Sequence, residues 1–108
     1  MDINIQEIFE KLESIKEEYS WVKGRLAGLK ESKNSVKSVM MKKSSEQSLG
    51  GQEREAYASQ EYQDHCKQID EATAQEALLK LEITLAQMKF AAWRSEQATN
   101  RNLERLTR

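Results

Sequence analysis

The stretch IQEIFEKLESIKEEYSWVKGRLAGLKESKNSVKSVM, residues 5–40, carries a heptad repeat. Its a and d positions are Ile5, Ile8, Leu12, Ile15, Tyr19, Val22, Leu26, Leu29, Lys33, Val36 and Met40. Ten of these eleven positions are apolar or aromatic, at the alternating steps of three and four that form a coiled-coil seam. The stretch therefore predicts one long helix over residues 3–43. Phe9 and Trp21 lie off the seam, where they either widen the apolar face or mark a second contact.

The rest of the chain predicts a turn and a second helix. Residues 44–52, SSEQSLGGQ, contain Gly50-Gly51, the strongest breaker of the pattern, and we interpret them as a hairpin turn. No glycine or proline follows residue 52, which indicates a single long helix over residues 53–106. The 108 residues then form one helical domain with an all-α fold, an antiparallel long-helix hairpin of the coiled-coil type.

The distribution of charge favours the antiparallel arrangement. Residues 1–20 hold six carboxylates and two lysines, whereas residues 89–108 hold five basic and two acidic side chains. Folding about residues 48–50 brings the acidic end to the basic end, and places Ile5 near Trp93 and Tyr19 near Leu79. Each exposed ion pair contributes only ~0–1 kcal/mol, so we expect these charges to select orientation and register.

The second helix carries two apolar stripes, which predicts more than one neighbour. The first stripe is Ala74, Leu78, Leu81, Leu85, Met88 and Ala92, and the second is Leu79, Ile83, Ala86, Phe90 and Trp93. The first helix can cover only one of them. The other neighbour is either a third segment, formed if the long helix breaks, or a second copy of the chain, and we favour a homodimer that forms a helical bundle.

We assign the partner or dimer interface to the second stripe and the basic tail that follows it. The residues of this interface are Leu79, Ile83, Phe90, Trp93, Arg94, Arg101 and Arg105. A variant with polar residues in place of Leu79, Ile83 and Phe90 is then expected to lose assembly before it loses helicity.

The composition offers little for catalysis. His65 and Cys66 are the only residues of their types, and as helix neighbours they point about 100° apart, so they cannot converge on a substrate or a metal ion. We expect a buried Cys66, a solvated His65, no cofactor and no enzymatic activity. A single cysteine, no signal peptide and no apolar run of membrane-spanning length indicate a cytoplasmic protein without a membrane partner.

Nucleic-acid binding is the alternative. Residues 30–43 have a net charge of +4, from Lys30, Lys33, Lys37, Lys42 and Lys43 against Glu31. Such a cluster could contact phosphates, but lysines also suit the C-terminal end of a helix. The C-terminal arginines are a second candidate contact for DNA or RNA, and Trp93 beside Arg94 could stack on a base or pack in the core. The formal net charge of −1 for the whole chain does not favour nucleic acid.

Residues 53–101 resemble a family of small helical proteins encoded by tailed phages and prophages. The resemblance rests on the segment Glu53 to Tyr62, EREAYASQEY, and on Ala92, Trp93, Arg94, Ser95, Ala98 and Arg101. It implies a phage origin, a product often encoded near recombination genes, and a location in the host bacterial cytoplasm. The expected function is that of an accessory protein that binds another protein, either a recombination or replication factor or a host defence complex that it inhibits.

Overall fold

The computed structural model describes residues 4–107, and these form an all-α helical hairpin. The helices are α1 (Ile5–Lys43), α2 (Leu49–Ala58) and α3 (Gln60–Thr107). Two compact units share them. The described parts of Met1–Tyr19 and Leu78–Arg108 make the terminal unit, and Ser20–Ala77 make the turn unit. The predicted start of the first helix at residue 3 lies outside the described residues.

The heptad seam of α1 is confirmed. All ten of its apolar or aromatic positions are buried or half-buried, and Lys33 is the exposed member. Asn4 begins the helix as its N-cap, since its side-chain oxygen accepts hydrogen bonds from the backbone N–H groups of Gln6 (3.1 Å) and Glu7 (3.3 Å). Lys42 and Lys43 lie in the last turn, where their positive charges interact favourably with the negative end of the helix dipole.

The core of the terminal unit lies between the first part of α1 and the second part of α3. Its buried apolar residues are Ile8 and Ile15 on α1 and Leu79 and Ala86 on α3. The rings of Phe9 and Phe90 lie 5.5 Å apart, which matches the antiparallel register that folding about residues 48–50 predicts.

The core of the turn unit contains Val22, Leu26, Ala56 and Ala72. Its helices are also linked by polar contacts. Lys37 Nζ of α1 lies 3.4 Å from Glu53 Oε1 of α2, and the Ser44 hydroxyl donates a hydrogen bond to the Glu55 carboxylate.

The predicted turn is too long. Non-helical residues extend only over 44–48, and Gly50 and Gly51 lie in the first turn of α2 with negative φ angles. Ser48 is the N-cap of this helix, since its Oγ accepts a hydrogen bond from Gly51 N at 3.0 Å. Gly51 is buried, and an added Cβ there would lie 2.9 Å from Ser48 Oγ and 3.1 Å from Glu46 Cβ. The glycine is therefore needed for a close approach of the loop and not for a backbone reversal.

The predicted single helix over residues 53–106 is also wrong, because Ser59 divides it. Ser59 has extended backbone angles (φ −65°, ψ 146°), ends α2 and precedes α3. Its Oγ donates to Ala56 O (2.6 Å) and accepts from Tyr62 N (3.3 Å), so one hydroxyl caps both helices. Local bonds between serine and the backbone compete with the helix in this way. The rings of Tyr57 and Tyr62 pack edge to face across the break, 5.2 Å apart.

Candidate protein interaction surface

The two apolar stripes of the second helix lie on different faces of α3, and the first helix covers the one that we had assigned to a partner. Leu79 is 5% exposed, Ala86 is buried, and Ile83, Phe90 and Trp93 are half-buried. This stripe belongs to the core of the terminal unit, so its placement on an uncovered face is corrected. The two stripes have the same spacing, so either of them could pack against a single partner helix. Only tertiary packing decides which stripe α1 covers.

The other stripe is exposed. Leu78 is 57%, Leu81 56%, Leu85 49% and Met88 62% exposed, and all four lie in the terminal unit. We call these four residues the outer face of α3. Their steps of three, four and three residues are those of a coiled-coil seam. Contiguous exposed apolar side chains of this kind mark interaction sites in proteins, whereas single exposed apolar residues are ordinary.

Aromatic stacking explains the placement of the residues that follow the buried stripe. Phe90 stacks on Trp93, with ring centroids 5.9 Å apart and planes 19° apart. The guanidinium carbon of Arg94 lies 5.9 Å from the centre of the Phe90 ring. Phe90 also contacts Phe9 of α1. The structure therefore brings Phe9, Phe90, Trp93 and Arg94 together as one cluster, in which Trp93 packs on a ring of its own chain.

The basic tail is exposed. Every side chain from residue 94 to residue 107 is exposed, including Arg101, Arg105, Leu103 and Leu106. An open depression of about 740 Å³ is lined by Ala91, Trp93, Arg94, Ser95, Gln97, Ala98 and Arg101. All of these residues belong to α3, so the depression is a curved helix surface and not an enclosed site.

The five lysines of the predicted nucleic-acid contact have different environments. Lys30, Lys42 and Lys43 are exposed at the surface of α1. Lys33 Nζ lies 6.0 Å from the centre of the Tyr62 ring, and Lys37 Nζ lies 4.7 Å from that of Tyr57. The interaction with the Tyr57 side chain, followed by that with Glu53, raises the pKa of Lys37, and partial desolvation opposes it. Lys33 and Lys37 thus contribute to packing between helices. The other three lysines, Lys30, Lys42 and Lys43, remain exposed candidates for a nucleic-acid contact.

His65 has a structural contact that the sequence did not indicate. It is half-buried, and its Nε2 lies 2.6 Å from the carbonyl oxygen of Leu29 on α1, so it donates a hydrogen bond there. Ser32 Oγ lies 3.3 Å from the same nitrogen and donates to Gly28 O. The expected solvated His65 is therefore wrong, and Cys66 is half-buried where we expected full burial. Nothing in the local sequence distinguishes His65 from a surface histidine, because its partner is 36 residues away.

Both residues off the seam of α1 are exposed, Phe9 to 45% and Trp21 to 66%, and the Phe9 ring packs against Phe90. Trp21 lies in the turn unit. Within residues 4–107, no three His, Cys, Asp or Glu side chains form a group that could hold a metal ion. No helix in that range has the length and apolar character needed to cross a membrane.

Comparisons with known proteins add no relative, since no family model, no curated protein and no solved structure matches this chain. Its outer face and its exposed tail are therefore the features from which a function can be argued.

Proposed function

We propose that this chain is a non-enzymatic accessory protein, encoded by a phage, that acts by binding other proteins through helix surfaces. The observation that carries the proposal is the exposure of Leu78, Leu81, Leu85 and Met88 along one face of α3. Water contacts these apolar side chains in the isolated chain, and a partner that covers them gains the corresponding transfer free energy.

The spacing of the outer face indicates the kind of partner. Side chains at steps of three, four and three residues fit the grooves of another helix with a similar seam. Covering a side chain that is about half exposed contributes roughly 1 kcal/mol. Four such side chains on each of two helices supply enough to offset part of the cost of association, estimated at about 4–15 kcal/mol. An amphipathic helix is therefore the ligand chemistry that the face fits.

The exposed tail supplies a second contact. Arg101 and Arg105 alternate there with the exposed Leu103 and Leu106, so the tail combines positive charge with apolar surface. Arginine with apolar side chains is typical of the contacts that dominate protein interfaces. We assign binding of the target protein to the tail, and assembly into a homodimer to the outer face.

The biological role rests on the resemblance to phage proteins. It supports a target among phage recombination or replication factors, or a host defence complex that the protein inhibits, in the bacterial cytoplasm. His65 supports a non-enzymatic role, since the hydrogen bond from its Nε2 to the Leu29 carbonyl engages the one imidazole of the chain in packing between helices.

The test is affinity capture from infected bacterial cells with three forms of the full chain. The wild type is expected to retain a partner in stoichiometric amount. Arg101→Glu with Arg105→Glu is expected to lose it. The matched control, Arg54→Glu with Lys67→Glu, makes the same change of charge at exposed positions outside the tail and is expected to keep the partner. Equal recovery with the wild type and the tail variant would show that the tail is not the contact, and no partner with any form would contradict the proposed function.

A further inference from the structure

The outer face has a pattern of side-chain sizes that is the same in both directions along α3. Its apolar residues are bounded by Ala74 and Ala92, and the series is Ala74, Leu78, Leu81, Leu85, Met88, Ala92. The steps are four, three, four, three and four residues, with a small residue at each end and four large ones between them. This palindrome of both spacing and size is centred on residue 83.

On the proposed function, in which this face binds protein, we propose that its occupant is the same face of a second copy, packed antiparallel about a twofold axis beside residue 83. Leu78 of one copy then meets Met88 of the other, and Leu81 meets Leu85. Each contact occurs twice, as an isologous interface requires. All four large side chains of each copy, which lie in the terminal unit, are covered.

The charges that flank the face favour the same orientation. Glu82 and Lys89 lie one heptad apart beside the seam. In an antiparallel pair, this side of the helix faces the same side of the other copy. Glu82 of one copy lies about five residues, or about 7.5 Å of helix rise, from Lys89 of the other, which is the offset that flanking ion pairs of coiled coils span. The twofold axis generates this pair twice. It also brings Glu82 within about two residues, or about 3 Å of helix rise, of Glu82 of the other copy, so two opposite-charge contacts stand against one like-charge contact.

A parallel pairing of the same faces lacks these contacts. In that orientation Glu82 faces Ala77 of the other copy and Lys89 faces Thr84, so neither charge gains an opposite partner. The antiparallel arrangement is therefore selected by charge as well as by the size pattern. Ala77, Thr84 and Ala91, on the other side of the seam, are small and exposed, and they leave room for the two helices to approach closely.

The first experiment measures mass by sedimentation equilibrium of the full chain across a wide range of concentration. The wild type is expected to reach twice 12.5 kDa. Leu81→Glu with Leu85→Glu is expected to remain at 12.5 kDa with unchanged helicity, since both side chains are exposed within a single chain. The matched control, Gln87→Glu with Gln97→Glu, adds the same charge at exposed positions away from the seam and is expected to dimerise like the wild type.

The second experiment tests orientation with cysteine variants in a Cys66→Ser background. Leu78→Cys and Met88→Cys are ten residues apart, about 15 Å along the helix, so each variant alone is expected to form no intermolecular disulfide. An equal mixture of the two is expected to form the mixed disulfide, because a bridge needs Cα atoms within about 7 Å. Disulfides within each variant alone would establish a parallel pair and overturn the proposal.

The outcomes separate this inference from the function it rests on. A wild-type mass of 12.5 kDa at every concentration overturns the second copy as occupant. If the monomeric chain still captures a target, and Leu81→Glu with Leu85→Glu loses that target, the protein-binding function stands and the outer face binds a different helix. A dimer without any captured target supports the second copy and contradicts the accessory function.

Discussion

Leu78 and Leu79 are adjacent in sequence and lie on different faces of α3, with 57% of Leu78 exposed and 5% of Leu79. One is part of the outer face, and the other is part of the hairpin core. Substitutions at the two positions therefore affect different equilibria, one between chains and one between the folded and unfolded states of a single chain.

Leu79→Ala is expected to lower the free energy of unfolding by about 2–4 kcal/mol, because it removes a buried side chain and leaves a cavity. Leu78→Ala is expected to lower it by less than about 1 kcal/mol in the monomer, since the side chain is already largely in water. Urea denaturation below the concentration at which copies associate measures both. Equal losses would show that α1 does not cover the Leu79 side of α3.

The same difference revises the expected result of polar substitution at Leu79, Ile83 and Phe90. These side chains are buried or half-buried in the terminal unit, and Phe90 contacts Phe9 and Trp93. The triple variant is therefore expected to lose helicity in the terminal unit together with any assembly. Circular dichroism of this variant, beside Leu81→Glu with Leu85→Glu, distinguishes loss of folding from loss of docking.

Gly51→Ala and Gly50→Ala are expected to have opposite effects. The Cβ of an alanine at position 51 would lie 2.9 Å from Ser48 Oγ, which cannot move away without loss of the hydrogen bond that it accepts from the backbone of residue 51. We expect a destabilisation of about 1–3 kcal/mol. At position 50 nothing lies within 4 Å, so alanine is expected to stabilise by about 0.5–1 kcal/mol through its higher helix propensity. Thermal unfolding of the two variants gives the comparison, and a stabilising Gly51→Ala would contradict the close approach of the loop.

The sequence was sufficient for α1 and its seam, because ten apolar or aromatic residues at heptad spacing permit only one buried face. It was not sufficient to choose between the stripes of α3. Both have the same spacing, and the choice depends on which side presents Phe90 to Phe9, a contact 81 residues apart in sequence. The exposed tail and the uncovered stripe were both expected, but the members of that stripe were not the ones assigned.

The boundaries of α2 depend on local hydrogen bonds and close contacts, which the residue types alone do not predict well. Glycine pairs usually mark turns, yet Gly50 and Gly51 lie in the first turn of α2, because Ser48 begins the helix as its N-cap and accepts a hydrogen bond from Gly51 N. Serine is compatible with helix interiors, yet Ser59 divides one because its hydroxyl bonds to Ala56 O and Tyr62 N. Ser59, as an N-cap residue type, and Glu61 in the first turn of α3 are the signals that indicate a helix start there.

Ser59→Ala is expected to lower the free energy of unfolding by about 1 kcal/mol, because α3 loses the side-chain oxygen that accepts from Tyr62 N. Ser59→Thr retains a hydroxyl that can donate to Ala56 O and accept from Tyr62 N, and is expected to remain within a few tenths of a kcal/mol of the wild type. Denaturation curves of the three proteins test the difference. If Ser59→Ala is more stable and more helical than the wild type, α2 and α3 form one continuous helix in solution, and the break is not maintained by this hydroxyl.

Lys37 gives the hairpin a pH dependence at its turn end. Contact with the Tyr57 side chain and with Glu53 raises the pKa of Lys37 above its ordinary value of 10.5. A group whose pKa is raised by folding contributes its stability below the unfolded pKa and loses it as the pH rises through the folded pKa. Lys37→Met is therefore expected to be slightly less stable than the wild type at neutral pH, and the difference should diminish above pH 10.5. Lys37→Arg retains the charge and is expected to keep the wild-type advantage into that range. A stability difference between the wild type and Lys37→Met that grows as the pH rises would show that the charged form of Lys37 is disfavoured in the fold, and would contradict its contacts with Tyr57 and Glu53.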